Sequence, residues 1–119
     1  MISVTLPWPA KALWPNGRAV WQVKAQQVKL HRAWARNAVQ GEHGARQWPQ
    51  TGYRVTITAH PKPKGPAPDA DNTVAACKAF FDGIADAMGV DDRTFTVALV
   101  VRGERRPHGA IVISIEAIE

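Results

Sequence analysis

Asp69 and Asp71 stand two residues apart with Asn72 beside them, at the end of a loop, His60 to Pro68, that holds four prolines and a glycine. Oxygen donors gathered in this way suit a hard cation such as Mg²⁺. A second acidic pair, Asp91-Asp92, follows the next helix-like stretch. A basic protein that brings its acids together usually does so to hold a metal against a phosphate, which points to phosphodiester chemistry on nucleic acid. Plainer roles exist for each piece. Asp71 begins a helix and can serve as its N-cap, although that leaves Asp69, placed before the cap, unexplained. Asp91-Asp92 can be a polar turn. Lys78 lies seven residues after Asp71, two helical turns on and on the same face. It is placed to orient water or to neutralise a phosphate oxygen, or else simply to pair with Asp82 at i,i+4.

The elements that must position these residues are legible in the patterning. Ser3 to Leu6 alternates as a short strand, and the segment from Pro7 to Arg18 is a loop turning at Pro15-Asn16-Gly17. Ala19 to about Gln40 lacks Pro and Gly, with apolar residues at Val20, Val23, Val28, Leu30, Trp34 and Ala38. Lys24, Lys29, Arg32 and Arg36 fall between them, giving an amphipathic helix with a cationic side. Gly41 to Gly52 reads as a loop. Tyr53 to His60 alternates as a strand with one wet face. Asn72 to Met88 is the second helix, striped by Val74, Cys77, Phe81, Ile84 and Met88, with Gly89 in the left-handed position past its end. Thr94 to Val101 is apolar on both sides and reads as a central strand. Arg102 to Gly109 is a polar turn, and Ala110 to Ile115 a last strand. The order is β-α-β-α-β-β, an α+β domain with two main helices on one face of a small mixed sheet.

Composition narrows the classes. A length of 119 residues allows a single domain, 1–119, with a core of its own. No apolar stretch of membrane-spanning length is present. Met1 to Leu6 has neither the basic start nor the apolar core of a signal peptide, so a cytoplasmic protein without membrane partners is expected. The single cysteine, Cys77, excludes an internal disulfide framework and a Cys-based zinc site; on the apolar stripe it is expected to be a buried small hydrophobe. Residues 1–64 hold ten Lys/Arg against one acid, a balance of +9, whereas residues 65–119 hold five against nine, −4, for the net +5. All five tryptophans lie in the first half. Such a division suits one half to grip a polyanion and the other to hold metal; solvated surface alone also accounts for it. His31, His43, His60 and His108 show no metal-ligand spacing and are expected at solvated surface, where His60 and His108 could touch phosphate. Trp21 and Trp34 are expected in the core, and Trp8 and Trp14, near Lys11 and Arg18, at a base contact or a subunit interface.

Taken in order, these residues resemble the RusA family of Holliday-junction resolvases, endodeoxyribonucleases of bacteria and especially of prophages. Val4-Thr5-Leu6-Pro7-Trp8-Pro9, then Leu13-Trp14-Pro15-Asn16-Gly17-Arg18 and Trp21, is similar to the family's opening strand and Pro-Asn-x-Arg loop. Asp69-x-Asp71-Asn72, Lys78, Asp82-Gly83 and Asp91-Asp92 resemble its central signature. The likeness runs over nearly the whole chain. It implies a small α+β fold, a homodimer, Mg²⁺ dependence, and symmetric paired nicking of a four-way junction during DNA recombination and repair. Carried across, Asp69, Asp71 and Asp92 take the metal-site roles and Lys78 the supporting cationic role. The chain departs from the best-known member type in its lysine: position 75 is Ala, and Lys78 lies one turn further along.

An unbroken helix from Asn72 to Met88 would be roughly 25 Å long, placing Asp71 and Asp92 at opposite ends. Either the helix breaks, near Gly83, or the third carboxylate comes from the partner chain of a dimer. Arg18, Lys24, Arg32 and Arg36, with Lys62, Lys64, Arg102, Arg105 and Arg106, would bind the DNA backbone. Two other functions fit the same residues: a nuclease for other branched DNA, and a nucleic-acid-binding module without catalysis.

Overall fold

Val4, Ile113 and Ile57 lie side by side across three strands, flanked by the rows Ile2–Ile115–Val55 and Leu6–Ile111–Ala59. These alternating residues are all buried, and they form the floor of the core. The structure is a computed structural model that describes residues 1–44 and 48–118. Its strands are β1 (Ile2–Pro7), β2 (Tyr53–His60), β3 (Phe95–Arg102) and β4 (Ala110–Ala117). They form one mixed sheet in the order β1-β4-β2-β3, antiparallel except for the β2–β3 pair. The helices are α1 (Trp21–His43), α2 (Ala70–Ala76) and α3 (Lys78–Met88), with single 3₁₀ turns at Lys11–Leu13 and Asp92–Thr94. The α+β class, the mixed sheet and the wet outer face of β2 are as expected. Ser3 and Ser114 face each other on that outer side, as do Arg54 and Glu116. Among the described residues no helix is long and apolar enough to cross a membrane.

Three expectations are corrected. First, β3 is an edge strand, hydrogen-bonded to β2 alone, rather than a central one. Its second apolar row meets no layer: Leu99 is 55% exposed, and an extra residue at Ala98 shifts the register. Second, α1 runs through Gly41 to His43 and ends at Gly44, so the expected Gly41–Gly52 loop starts later; positions 45–47 of that loop lie outside the described residues. The buried face of α1 is His31, Ala35 and Val39. Val20, Trp21, Val23 and Leu30 are exposed, the buried residues of α1 all lying from His31 onward. Third, the second helix is two helices meeting at Cys77 (φ −92°, ψ 1°). The Cys77 N–H lies 3.1 Å from both the Thr73 and the Val74 carbonyl oxygens. Upstream, the Thr73 hydroxyl donates to the Asp69 carbonyl at 2.8 Å, a back-bond that bends helices.

The predicted stripe of Cys77, Phe81, Ile84 and Met88 does face the core, joined by Phe80, and Gly89 adopts φ +73° as the C-cap of α3. Buried Cys77 is a packing residue whose thiol burial pushes up to about 12. α1 and α3 touch backbone to backbone at Gly83. A Cβ there would run into the Arg32 carbonyl oxygen and come 2.9 Å from Ala35 Cβ. Gly83→Ala should therefore lower stability by about 1–3 kcal/mol through overpacking. An unchanged urea midpoint would show that the two helices do not need this contact.

Candidate active site

Asp69, not Asp71, caps α2. It is extended at ψ 170°, and its Oδ1 accepts the Asn72 N–H at 2.8 Å. The Asn72 side-chain amide adds a longer contact to Oδ2, 3.4 Å. Pro68 directly before Asp69 favours the extended entry from the loop. Asp71 then falls in the first turn, exposed, with no polar partner among the described residues.

The second acidic pair divides its labour. Asp91 caps the 3₁₀ turn, accepting from the Arg93 backbone N–H at 2.9 Å and from its guanidinium at 2.8 Å. The Arg93 side chain holds the Asp91 carboxyl well below the usual carboxylate range. Asp92 turns the other way, toward α3. Its Oδ2 accepts from Lys78 Nζ at 3.3 Å, and its carboxyl stands beside that of Asp82. Lys78 also lies 3.8 Å from Asp82, so the expected i,i+4 pair forms alongside a contact with Asp92 that the spacing does not indicate. Burial first, and the neighbouring Asp92 carboxyl second, raise the Asp82 carboxyl above its usual range, against the pull of Lys78.

Arg32, Lys78, Asp82, Asp86, Asp91 and Asp92 line a polar cleft of ≈ 390 Å³. Arg32, expected on DNA, is bound bidentately to Asp86 at 2.6 and 2.8 Å, which ties α1 to α3. Lys24 reaches a neighbouring cleft that shares Lys78 and Asp82. Exposed Arg36 is close enough to Asp86 to lower its carboxyl, after the larger effect of Arg32. Most of the other expected DNA contacts lie around the loop that leads into α2. Arg102 lines a ≈ 190 Å³ cavity with Asp69. Arg105 donates to the Lys62 carbonyl at 2.7 Å, and Lys62 and Lys64 are exposed in the same loop. Arg106 is half-buried, its backbone N–H donating to the Pro61 carbonyl. Arg18 is exposed ahead of α1.

Asp69 and Asp92 share none of these clefts, and among the described residues no three His, Cys, Asp or Glu side chains are near enough to hold a metal ion together. What one chain does assemble is Asp82, Asp92 and Lys78. Two carboxylates drawn together, one with a raised affinity for a proton, form an oxygen donor pair that a hard divalent cation would satisfy; Mg²⁺ is commonly held by one or two carboxylates with water completing its shell. The residues present fit such an ion. In the sequence Asp82 stands as the i,i+4 neighbour of Lys78 and in the Asp82-Gly83 pair of the resemblance, with no site role, and its approach to Asp92 depends on the turn after α3.

Two histidines are not at solvated surface as expected: His31 is 1% and His60 8% exposed. The Ala10 N–H donates to His31 Nε2 at 3.1 Å while Nδ1 donates to the Gln27 carbonyl at 2.7 Å, which pins the Pro7–Arg18 loop to α1. A backbone N–H can only donate, so the ring must be neutral. Burial lowers its pKa below 6.5, against the raising effect of the Gln27 carbonyl. The unfolded chain then takes up the proton more readily, so the stability due to His31 is present above the unfolded value and is lost as pH falls below it. Urea unfolding at about pH 7.5 and about pH 5.5 should show this loss. His31→Gln should flatten it, and equal pH dependence in the variant would assign the effect elsewhere.

No protein-family model matches the sequence. An uncharacterized protein of Xylella fastidiosa (strain Temecula1 / ATCC 700964) is 38% identical over 120 residues, covering 99% of this chain and 78% of that protein. At that identity and coverage, the chain belongs to the same protein family as the Xylella protein.

Proposed function

We propose that this chain is a Mg²⁺-dependent endodeoxyribonuclease, similar to the RusA family, that resolves Holliday junctions as a homodimer by paired nicking. The observation that carries the reading is the approach of Asp92 and Asp82 to each other and to Lys78 in a cleft edged by Arg32, with Lys24 in the next. Lysine and paired acids side by side suit a phosphodiester: the carboxylates hold the cation, and the ammonium meets a non-bridging oxygen. When bound, Mg²⁺ would activate water and stabilise the charge developing on phosphate. Asp69 and Asp71, at the start of α2, would complete the donor set. Lys62, Lys64, Arg102 and Arg105 flank that end and would follow the backbone of an arm.

Dimerisation is supported by apolar surface that the single chain leaves open. Trp21 is 74% exposed, Val23 and Leu30 lie open seven residues apart on another face of α1, and Leu99 lies open on the edge strand; exposed apolar surface of this kind is what a protein interface covers.

The test is incubation of end-labelled four-way, forked and linear DNA with and without Mg²⁺, mapping each cut. Symmetric nicks in the four-way junction, only with Mg²⁺, are expected. Preference for forks would redirect the reading to other branched DNA, and binding without cuts under any metal would leave a passive binder.

A further inference from the structure

Trp8 and Trp14 stack on one another with ring centroids 5.2 Å apart and planes inclined by 28°. They wall a cleft of ≈ 530 Å³ whose rim carries Lys11 and Asn16, and whose far side is the Pro66–Asp69 segment with Asn72. That volume lies within the range of about 300–1,000 Å³ typical of small-ligand pockets. It has room for one nucleotide, not for a duplex.

Both indoles are fixed in advance. Trp14 Nε1 donates to the Pro9 carbonyl at 3.1 Å. Trp8 lies against Gly109, where a Cβ would come 3.0–3.1 Å from its atoms and where φ is +69°. A platform already rigid loses little entropy on binding. The chemistry around it is mixed in a specific way: a flat π surface, one ammonium, and the side-chain amides of Asn16 and Asn72. The Asp69 carboxylate also lines the cleft, held to the Asn72 amides, so a bare anion is a poor occupant. A nucleotide meets every feature: base on indole, base edge toward the amides, phosphate toward Lys11. Stacking on aromatic side chains is tolerant of base identity because every base has a π face.

We propose that this cleft is a base-capture subsite, which takes a nucleotide unstacked at the branch point and so seats the adjoining phosphodiester beside Asp69 and Asp71. The proposal rests on the nuclease reading and adds the element that would select branched over continuous duplex DNA, because a base at the branch, where the helix is interrupted, is unstacked at lower cost than one inside a duplex.

The test measures binding in EDTA, where no cleavage occurs, using labelled four-way junctions with an abasic site placed in turn at each nucleotide flanking the branch. Wild type should lose about 5- to 100-fold in affinity at one abasic position. Trp14→Ala should lose a similar factor on the intact junction and nothing further on that abasic one, while Trp14→Phe keeps most of the affinity. Equal losses for Trp14→Ala on intact and abasic junctions would overturn the subsite, as would an abasic scan that leaves wild-type affinity flat. The scan and Trp14→Phe decide the matter even if Trp14→Ala fails to fold. A wild-type chain that binds and cuts junctions yet ignores base removal refutes the subsite alone. One that binds no DNA refutes the nuclease reading with it.

Discussion

Asp92→Asn should slow cleavage of a four-way junction in Mg²⁺ by at least about a thousandfold while junction binding stays intact or tightens. A metal ion contributes several kcal/mol of transition-state charge stabilisation, and each ~1.4 kcal/mol is tenfold in rate. The substitution keeps the volume and an acceptor for Lys78, so it removes charge and little else. Loss of an acid beside the phosphate lowers repulsion, which is why binding should not suffer. Asp91→Asn is the matched control. Its carboxylate is taken up by Arg93 and the 3₁₀ turn, so its rate should stay within about tenfold of wild type, the span of ~1.4 kcal/mol. Single-turnover cleavage and gel-shift binding on the same junction measure both quantities. An active Asp92→Asn beside a dead Asp91→Asn would reverse the assignment, and two fully active variants would sink the metal role of this pair.

The contrast between those neighbours shows where sequence reasoning stops. Adjacent aspartates after a glycine announce a turn, and nothing local says which of them faces α3. The same limit explains β3. A run apolar on both sides reads as buried on both sides, yet the strand lies at the sheet edge with Leu99 in solvent, because strand order is set by connections remote in sequence. Where the signal is local it holds. β2 occupies Tyr53–His60 as its alternation predicts, the Cys77–Met88 stripe faces the core, and Gly89 closes α3. The cap of α2 is Asp69, two residues before the Asp71 that the pattern offers as an alternative, since both aspartates suit the position and the choice belongs to the loop's geometry. His31 misleads for a different reason: a lone histidine among lysines and arginines looks solvated, and its two backbone partners become visible only in three dimensions. The stacked tryptophans likewise depend on Gly109, a hundred residues downstream, leaving space for Trp8.

The separation of Asp69 and Asp71 from Asp92 within one chain makes subunit mixing the decisive experiment on how the site is completed. The break at Cys77 does not close the gap, because the helix resumes at Lys78 and Asp92 folds back only as far as Lys78 and Asp82. In a two-fold dimer the start of α2 in one subunit can face the turn after α3 in the other. Asp71→Asn and Asp92→Asn homodimers should each be inactive. If the site is shared, a mixed dimer holds one site with both acids intact and one with neither. Random exchange makes half of the dimers mixed, so about a quarter of wild-type sites should reappear. The product would change too: a single intact site gives one nick, so mixed dimers should release nicked junctions rather than paired linear products. If each site is built within one subunit, every site in the mixture carries one substitution and no activity returns. Recovery of nicking to about a quarter supports the shared site. A mixture as inactive as its components, after exchange has been verified by differently sized tags, refutes it.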